Sequence, residues 1–292
     1  MEKVVITVIV AFYNSKLFMT ETIGSVLTQT YTLWQLILVD DGSTDGSSEL
    51  AKKYVKDYPG KIIYIEHKGH ENKGLSASRN LGLKHAEGNV ISFLDADDVW
   101  LPEYLEMQIK LLEDKKVSMV CEATLYWHDW NDIHKKNDKV SVGTKENEIY
   151  DPPQLAINLY PLGVGAAPCM CGIIVRKEVL LKHGGFEEAF SSMYEDQVFL
   201  SKIYLHEPVF ISSNCNNLYR QRSDSMMNIS HQKGEYYSIR KKFLLWYKDF
   251  YLKSSVNNEQ IHQLIRKAWK PYQVSSFVKF KSLIKRILSK FT

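Results

Sequence analysis

Cysteine is scarce: only Cys121, Cys169, Cys171 and Cys215 occur in 292 residues. That is too few for a disulfide scaffold. Cys169 and Cys171 are two apart, but no second pair or nearby His completes a zinc site. The four therefore read as reduced, buried thiols of a cytoplasmic protein. Long apolar runs are also missing. No window approaches ~18 uninterrupted apolar residues, which argues against a membrane-spanning helix. Val4–Phe12 is short and β-branched, and no small-residue cleavage site follows it, so it reads as a buried first strand rather than a signal peptide. Several ligand motifs are absent. There is no Gly-x-Gly-x-x-Gly after the first strand, no Gly-x-x-x-x-Gly-Lys-Ser/Thr and no Gly-x-Ser-x-Gly. Finally, no acid follows Glu259, while eight Lys and Arg do. Residues 260–292 carry +8, and the remaining 29 basic and 34 acidic side chains give −5, which together make the net +3.

What is present is an ordinary globular composition, 45% hydrophobic and 24% charged. Strand and helix patterns alternate over the first 120 residues. Val4–Phe12, Leu36–Val39, Ile62–Ile65 and Val90–Leu94 read as strands. Leu17–Gln29, Ser47–Lys56, Leu75–His85 and a stretch from Pro102 to Glu113 read as helices. That rhythm predicts βαβ units and a parallel sheet. It breaks after residue 117. Val117–Tyr126 reads as one strand, residues 128–153 as polar and irregular, Gly172–Arg176 as a strand and Glu195–Leu205 as a helix. From Lys233 onward long helical patterns dominate, which sets a boundary near residue 230.

Ligands of open α/β sheets bind beyond the carboxyl ends of the strands. Three such ends carry polar clusters: Ala11-Phe12-Tyr13-Asn14, Asp40-Asp41-Gly42-Ser43 and Asp95-Ala96-Asp97-Asp98. Acids gathered there suit a divalent cation, or hydrogen bonds to a base or sugar. Either acidic motif alone also fits a turn or helix cap.

Taken together with Asn72-Lys73-Gly74-Leu75-Ser76-Ala77-Ser78-Arg79-Asn80-Leu81-Gly82, these segments resemble, in order and spacing, the signatures of family 2 glycosyltransferases. The likeness runs over about residues 4–225. One departure is Ala11, where family members usually carry Pro. The resemblance implies an α/β chain of the GT-A fold (Rossmann-like, nucleotide-diphospho-sugar transferase), with a mixed sheet flanked by helices. The catalytic domain would span 1–230, with a nucleotide-binding half at 1–116 and an acceptor half at 117–230. Residues 231–292 would form a C-terminal helical extension.

The resemblance also implies roles. Tyr13 would stack on the base. Ala11 and Asn14 would belong to the donor site, and either Asp40 or Asp41 would bond the base edge, the N3–H of uracil. Lys73 and Arg79 would lie near the diphosphate, or Arg79 would brace the Asp95 loop. Asp95-Ala96-Asp97 would be the Asp-x-Asp motif, with Asp97 holding Mg²⁺ or Mn²⁺ against the leaving diphosphate and Asp95 contacting the ribose or donor sugar or joining Asp97 on the metal. Asp98 would face the acceptor. Asp196, in Tyr194-Glu195-Asp196-Gln197, would be the general base of an inverting transfer; the same two acids also suit a helix N-terminus. Arg222 stands where the family often has a metal-reaching His, and Arg cannot ligate a cation.

The implied activity is a metal-dependent hexosyl- or N-acetylhexosaminyl-transferase. It would take a nucleotide-sugar donor, a UDP-sugar, and a glycan or lipid-linked glycan acceptor in cell-surface polysaccharide synthesis. A non-catalytic sugar-nucleotide-binding scaffold is the alternative of another class. A haloacid-dehalogenase-type phosphatase would share Asp-x-Asp but would leave Asp40–Asp45 and Asn72–Gly82 unexplained.

The basic tail has its own pattern. Phe277, Phe280, Ile284, Ile287, Leu288 and Phe291 share one helical face, with Lys and Arg elsewhere. Two readings fit it: a peripheral helix on the inner face of the cell membrane, or a helix packed on the body or in a homodimer. No motif suggests nucleic acid as a partner. Deleting residues 274–292 is expected to abolish liposome binding while sparing transfer to a soluble acceptor. An intact chain that ignores liposomes would leave the packed helix.

Overall fold

The computed structural model describes residues 5–273, apart from 192, 225–228, 231 and 233. The basic tail, residues 274–292, therefore lies outside the described residues. Strand β1 (Ile6–Phe12) is the expected first strand. It pairs in parallel with β2 (Trp34–Asp40) on one side and β4 (Val90–Phe93) on the other. β3 (Ile62–Glu66) extends the sheet beyond β2. β2 is buried at every position, and β1 at all but Ala11. Burial on both faces explains why their apolar residues run continuously instead of alternating.

Helices α1 (Lys16–Leu27), α2 (Ser47–Asp57), α3 (Leu75–His85) and α4 (Tyr104–Lys115) connect or follow these strands. α3 lies very close to the sheet at Gly82, where an added Cβ would sit 2.6 Å from the Ile9 side chain. Glycine is needed there for close approach, and any larger residue would push helix and sheet apart.

The broken rhythm after residue 117 has a structural counterpart. β10 (Ile173–Arg176) enters antiparallel between β4 and β6 (Met119–Cys121), giving the order β3-β2-β1-β4-β10-β6-β11-β9. β11 is Val209–Ile211 and β9 is Glu148–Tyr150. A second sheet has the order β5-β12-β7-β8, formed by Val99–Trp100, Asn217–Arg220, Thr124–Trp127 and Asp138–Val140. The mixed sheet flanked by helices is thus the expected architecture.

Val117–Tyr126 is not the single strand expected. It divides at Glu122–Ala123, and the two pieces join different sheets. The dividing residue is a fully buried carboxylate. Oε1 of Glu122 accepts from the Asn216 N–H (2.6 Å) and the Asn217 side-chain amide (2.8 Å), bonds a straight strand could not offer. The polar stretch 128–153 likewise contains β8 and β9.

The extension is not set apart from the body either. α5 (Gln154–Asn158), α6 (Lys177–Lys182) and α7 (Glu195–Tyr204) precede α8 (Tyr236–Lys253) and α9 (Glu259–Gln273). Phe243, Leu244, Tyr247 and Tyr251 of α8 are buried in the same core cluster as Phe199 of α7 and Ile9 of β1. The boundary at residue 230 is therefore a change of secondary structure and not of packing, because α8 covers apolar surface that α7 would otherwise expose. Among the described residues, no helix is long and apolar enough to cross a membrane. All four cysteines are free. Cys121 and Cys171 are buried, whereas Cys169 and Cys215 are only partly so.

Burial pushes Glu122 up to about 7. The fold favours its protonated form, so its contribution is complete below the ordinary carboxylate range and is lost as pH rises through about 7. Glu122→Gln keeps an acceptor for both asparagines and cannot ionise. The variant is expected to lose less stability than the wild type between about pH 5.5 and about pH 8, by on the order of 2 kcal/mol. Urea unfolding at both pH values checks this, and parallel pH slopes would overturn it.

Candidate active site

β1, β2 and β4 are paired in register, so their carboxyl ends open at one edge. A cavity of about 590 Å³ lies there. Ala11, Tyr13, Asp41, Arg79, Asp95, Ala96, Asp97 and Asp196 line it, and Asn14, Asp40 and Lys73 do not.

Asp40 and Asp41 are both buried, and only Asp41 lines the cavity. Asp40 turns inward, accepting from the Ser43 N–H (2.8 Å), the Ser48 hydroxyl and the Tyr64 hydroxyl (2.9 Å). Asp41 faces the cavity and accepts from the N–H groups of Lys73 (2.7 Å) and Gly74 (3.0 Å), which draws the α3 loop against β2. Gly74 has φ +88°, a backbone region that favours glycine.

Asn14 is a scaffold residue. Its side chain accepts from the Thr44 N–H at 2.7 Å, tying the ends of β1 and β2 together. The Lys73 ammonium is exposed and pairs with Glu71. Ligand atoms of Asp40, Glu66 and His70 come within 4.8 Å of one another. They are already engaged, however. Tyr64 bridges the two acids, and His70 bonds Glu66 (3.1 Å) and the Ser43 carbonyl (2.9 Å). This is a stapled loop away from the cavity wall.

Arg79 takes the bracing position. Its side chain is 2% exposed, with the guanidinium 5.2 Å from the Phe186 ring centre and 5.9 Å from that of Phe93. It bonds Asp95 at 2.8 Å and reaches Glu195 at 3.7 Å. One buried cation thus ties the Asp-x-Asp loop to the start of α7.

The Asp-x-Asp loop is held on its other side by β12. The Arg220 N–H donates to Asp98 (2.9 Å), and the Arg220 side chain donates to the Asp97 carbonyl (2.7 Å). Asp98 is therefore buried and does not line the cavity. Burial, then repulsion from Asp97 and Asp95, pushes its carboxyl well above the ordinary range. Arg222 pairs with Asp97 at 2.9 Å, placing a cation where the family resemblance led one to look for a metal-reaching side chain.

Asp196 sits in the first turn of α7 and accepts from the Gln197 N–H (2.7 Å) and side-chain amide (3.0 Å). Burial raises its pKa; Glu195 is pushed up to about 8 by burial and by Asp196, against the pull of Arg79. Carboxyls raised this way are suited to proton transfer near neutral pH.

Asp95 and Asp97 present hard oxygen ligands that suit Mg²⁺ or Mn²⁺. Burial and the neighbouring Asp95 raise the Asp97 pKa against the pull of Arg222. Each acid gives one oxygen to its arginine, Asp95 Oδ1 to Arg79 and Asp97 Oδ2 to Arg222, which leaves the second oxygen of each to face a divalent ion. The residues present therefore fit a divalent ion.

Sequence reasoning missed an aromatic wall. Tyr160, Tyr194, Tyr219 and Tyr236 all line the cavity, as does Cys169, whose thiol burial pushes up to about 12. Tyr194 carried a signal, its place directly before Glu195-Asp196, and so did Tyr219, which opens the segment that carries Arg222; Tyr160 and Tyr236 carried none.

Residues 7–184, more than half the chain, match the family described as Glycosyl transferase family 2. Among curated relatives, the Minor teichoic acid biosynthesis protein GgaB of Bacillus subtilis is 36% identical over 139 residues, 46% of this chain and 15% of that protein. The chain spans less than half the length of the first curated relatives it matches. Among solved structures, S. aureus TarS 1-349 in complex with UDP-GlcNAc superposes with TM-score 0.70 at 20% identity, over 90% of this chain and 71% of that one. The mannosyltransferase PcManGT of Pyrobaculum calidifontis, solved with GDP-Man and Mn²⁺, gives 0.62 at 16% identity, over 92% and 70%. These two likenesses show the GT-A fold.

Replacing Arg79 by Met would leave Asp95 and Glu195 without their shared cation. Asp95 is 33% exposed and Glu195 is pushed up to about 8, so water and protonation offset part of the loss, which is about 1–3 kcal/mol. Urea unfolding of Arg79→Met is expected to show a loss of that order, and a loss within ~0.5 kcal/mol would show the pairs to be incidental.

Proposed function

The chain belongs to glycosyl transferase family 2, and we propose that it moves a hexosyl or N-acetylhexosaminyl unit from a UDP-sugar to a hydroxyl of a cell-surface or lipid-linked glycan, with inversion. The observation that carries this reading is one cavity lined by Tyr13 and Asp41, by Asp95 and Asp97, and by Asp196. UDP-GlcNAc in the TarS complex supports the donor class, and the teichoic acid role in the name of GgaB supports the product class. On this proposal residues 1–116 hold the nucleotide and 117–230 the acceptor.

The exposed Tyr13 ring stacks on uracil, and the Asp41 carboxylate accepts its N3–H. Asp95 and Asp97 would hold Mg²⁺ or Mn²⁺, which when bound neutralises charge developing on the diphosphate. Arg79 keeps Asp95 in place. Asp196 takes the proton of the acceptor hydroxyl as its oxygen bonds the anomeric carbon, and the bond from that carbon to the diphosphate oxygen breaks on the opposite face. Burial of Asp196 makes it a stronger base than an exposed aspartate.

Asp97→Ala is expected to abolish Mn²⁺-dependent UDP binding in calorimetry, and unchanged affinity would remove Asp97 from the metal site. Asp196→Asn should bind UDP normally and lose transfer by at least ~10²-fold. Near-normal transfer would remove Asp196 as the base. A thermal-shift screen of nucleotide sugars with Mn²⁺ identifies the donor, and no response to any of them would count against transfer altogether.

A further inference from the structure

The reaction written above makes no use of the hydroxylated wall beside Asp196. Tyr160, Tyr194 and Tyr236 come from three separate stretches of chain and bring their hydroxyls together at the cavity. Tyr160 bonds Tyr194, Tyr160 lies 3.2 Å from Tyr236, and Tyr194 donates to Tyr236 at 3.3 Å. Arg240 lies one turn beyond Tyr236 on α8. It donates from Nη1 to the Tyr160 and Tyr194 oxygens, each at 3.0 Å, and from Nη2 to the Pro161 carbonyl at 3.3 Å.

This arrangement has a direction. A guanidinium donating into two phenol oxygens leads those phenols to pass their own protons onward, and the bond donated by Tyr194 ends on Tyr236. Chains of this kind polarise one another. Burial raises all three phenols, but at Tyr236 the bonds from Tyr160 and Tyr194 and the charge of Arg240 outweigh it and leave its pKa lowered. The same cluster grips Tyr194 in a left-handed backbone conformation (φ +67°), which a non-glycine residue holds only when its surroundings enforce it. Tyr194 directly precedes Glu195 and Asp196, so the Arg240 bond to its hydroxyl is made at the residue before α7.

We propose that Tyr160, Tyr194 and Tyr236, held by Arg240, form the subsite for a neutral sugar ring of the acceptor, and that α8 is part of the acceptor site. This rests on the transferase reading above. The partly exposed Tyr160 and Tyr236 offer ring faces to the C–H face of a pyranose and hydroxyls to its hydroxyls, while Tyr194, buried and 4.9 Å from the Phe243 ring, holds them in place. The wall adjoins the base Asp196, while Tyr13 and Asp41 stand at the strand ends, so it serves the acceptor and not the nucleotide. The Arg240 charge is already committed to two phenols and a carbonyl, which favours a neutral ring over a phosphate. Arg240 is a positioning residue, acting through the tyrosines.

The test uses the full chain with UDP and Mn²⁺, and saturation-transfer NMR with methyl glycosides of glucose, galactose, mannose and N-acetylglucosamine as probes. At least one glycoside is expected to bind the wild type. Tyr236→Phe, which removes only a hydroxyl, should weaken it by about fivefold, the effect of one hydrogen bond. UDP affinity should not change. Arg240→Met should weaken the glycoside further and Arg240→Lys should restore part of the loss, which a merely structural role would not reproduce at equal melting temperature. Equal glycoside binding in wild type and Tyr236→Phe, no binding of any glycoside to the wild type, or displacement of the glycoside by inorganic phosphate would each overturn the proposal. Failure of the wild type to bind UDP would instead sink the transferase reading, so the two failures are distinguishable.

Discussion

The site depends on one buried cation. Arg79 reaches across from α3 to join two acids from distant parts of the chain, Asp95 after β4 and Glu195 at the start of α7. A guanidinium suits this place because its planar fork can address two carboxylates while its faces lie against Phe186 and Phe93. A charge buried so deeply would be costly without those partners. Its presence therefore obliges the Asp-x-Asp loop and the Glu195-Asp196 turn to stay close.

The rest of the cavity is arranged around that tie. Parallel register carries the ends of β1, β2 and β4 to one edge. Side chain to main chain bonds, from Asn14 to Thr44 and from Asp41 to Lys73 and Gly74, then lock the loops that leave it. The other wall belongs to elements that join late in the chain. β12 holds Asp97 and Asp98 through Arg220, and α8 holds Tyr160 and Tyr194 through Arg240. Arg79, Arg220 and Arg240 thus each fasten a different acidic or hydroxylated segment. The cavity is assembled from sequence neighbours only on the side formed by the ends of β1, β2 and β4.

That asymmetry explains what could be read in advance. The first four strands and the first helices were legible because each is a local pattern: continuous apolar runs for strands buried on both faces, and period-3.6 apolar spacing with Pro102 before α4. The strand-end acids were legible because an α/β topology sends them to a shared edge. The split at Glu122 was not, since it depends on Asn216 and Asn217 about a hundred residues away. The tyrosine wall was equally hidden, because no spacing links residues 160, 194 and 236.

By itself, the sequence determined the alternation of strands and helices, the family and the set of acids and aromatics from which a site could be drawn. Those properties follow from local periodicity and short motifs. Only the tertiary structure decided that Asp41 and not Asp40 faces the cavity, that Arg79 braces Asp95, that Asp98 is buried and that α8 closes a wall of the site. Each of those outcomes turns on which partners a polar group meets in the fold, and those partners are remote in sequence.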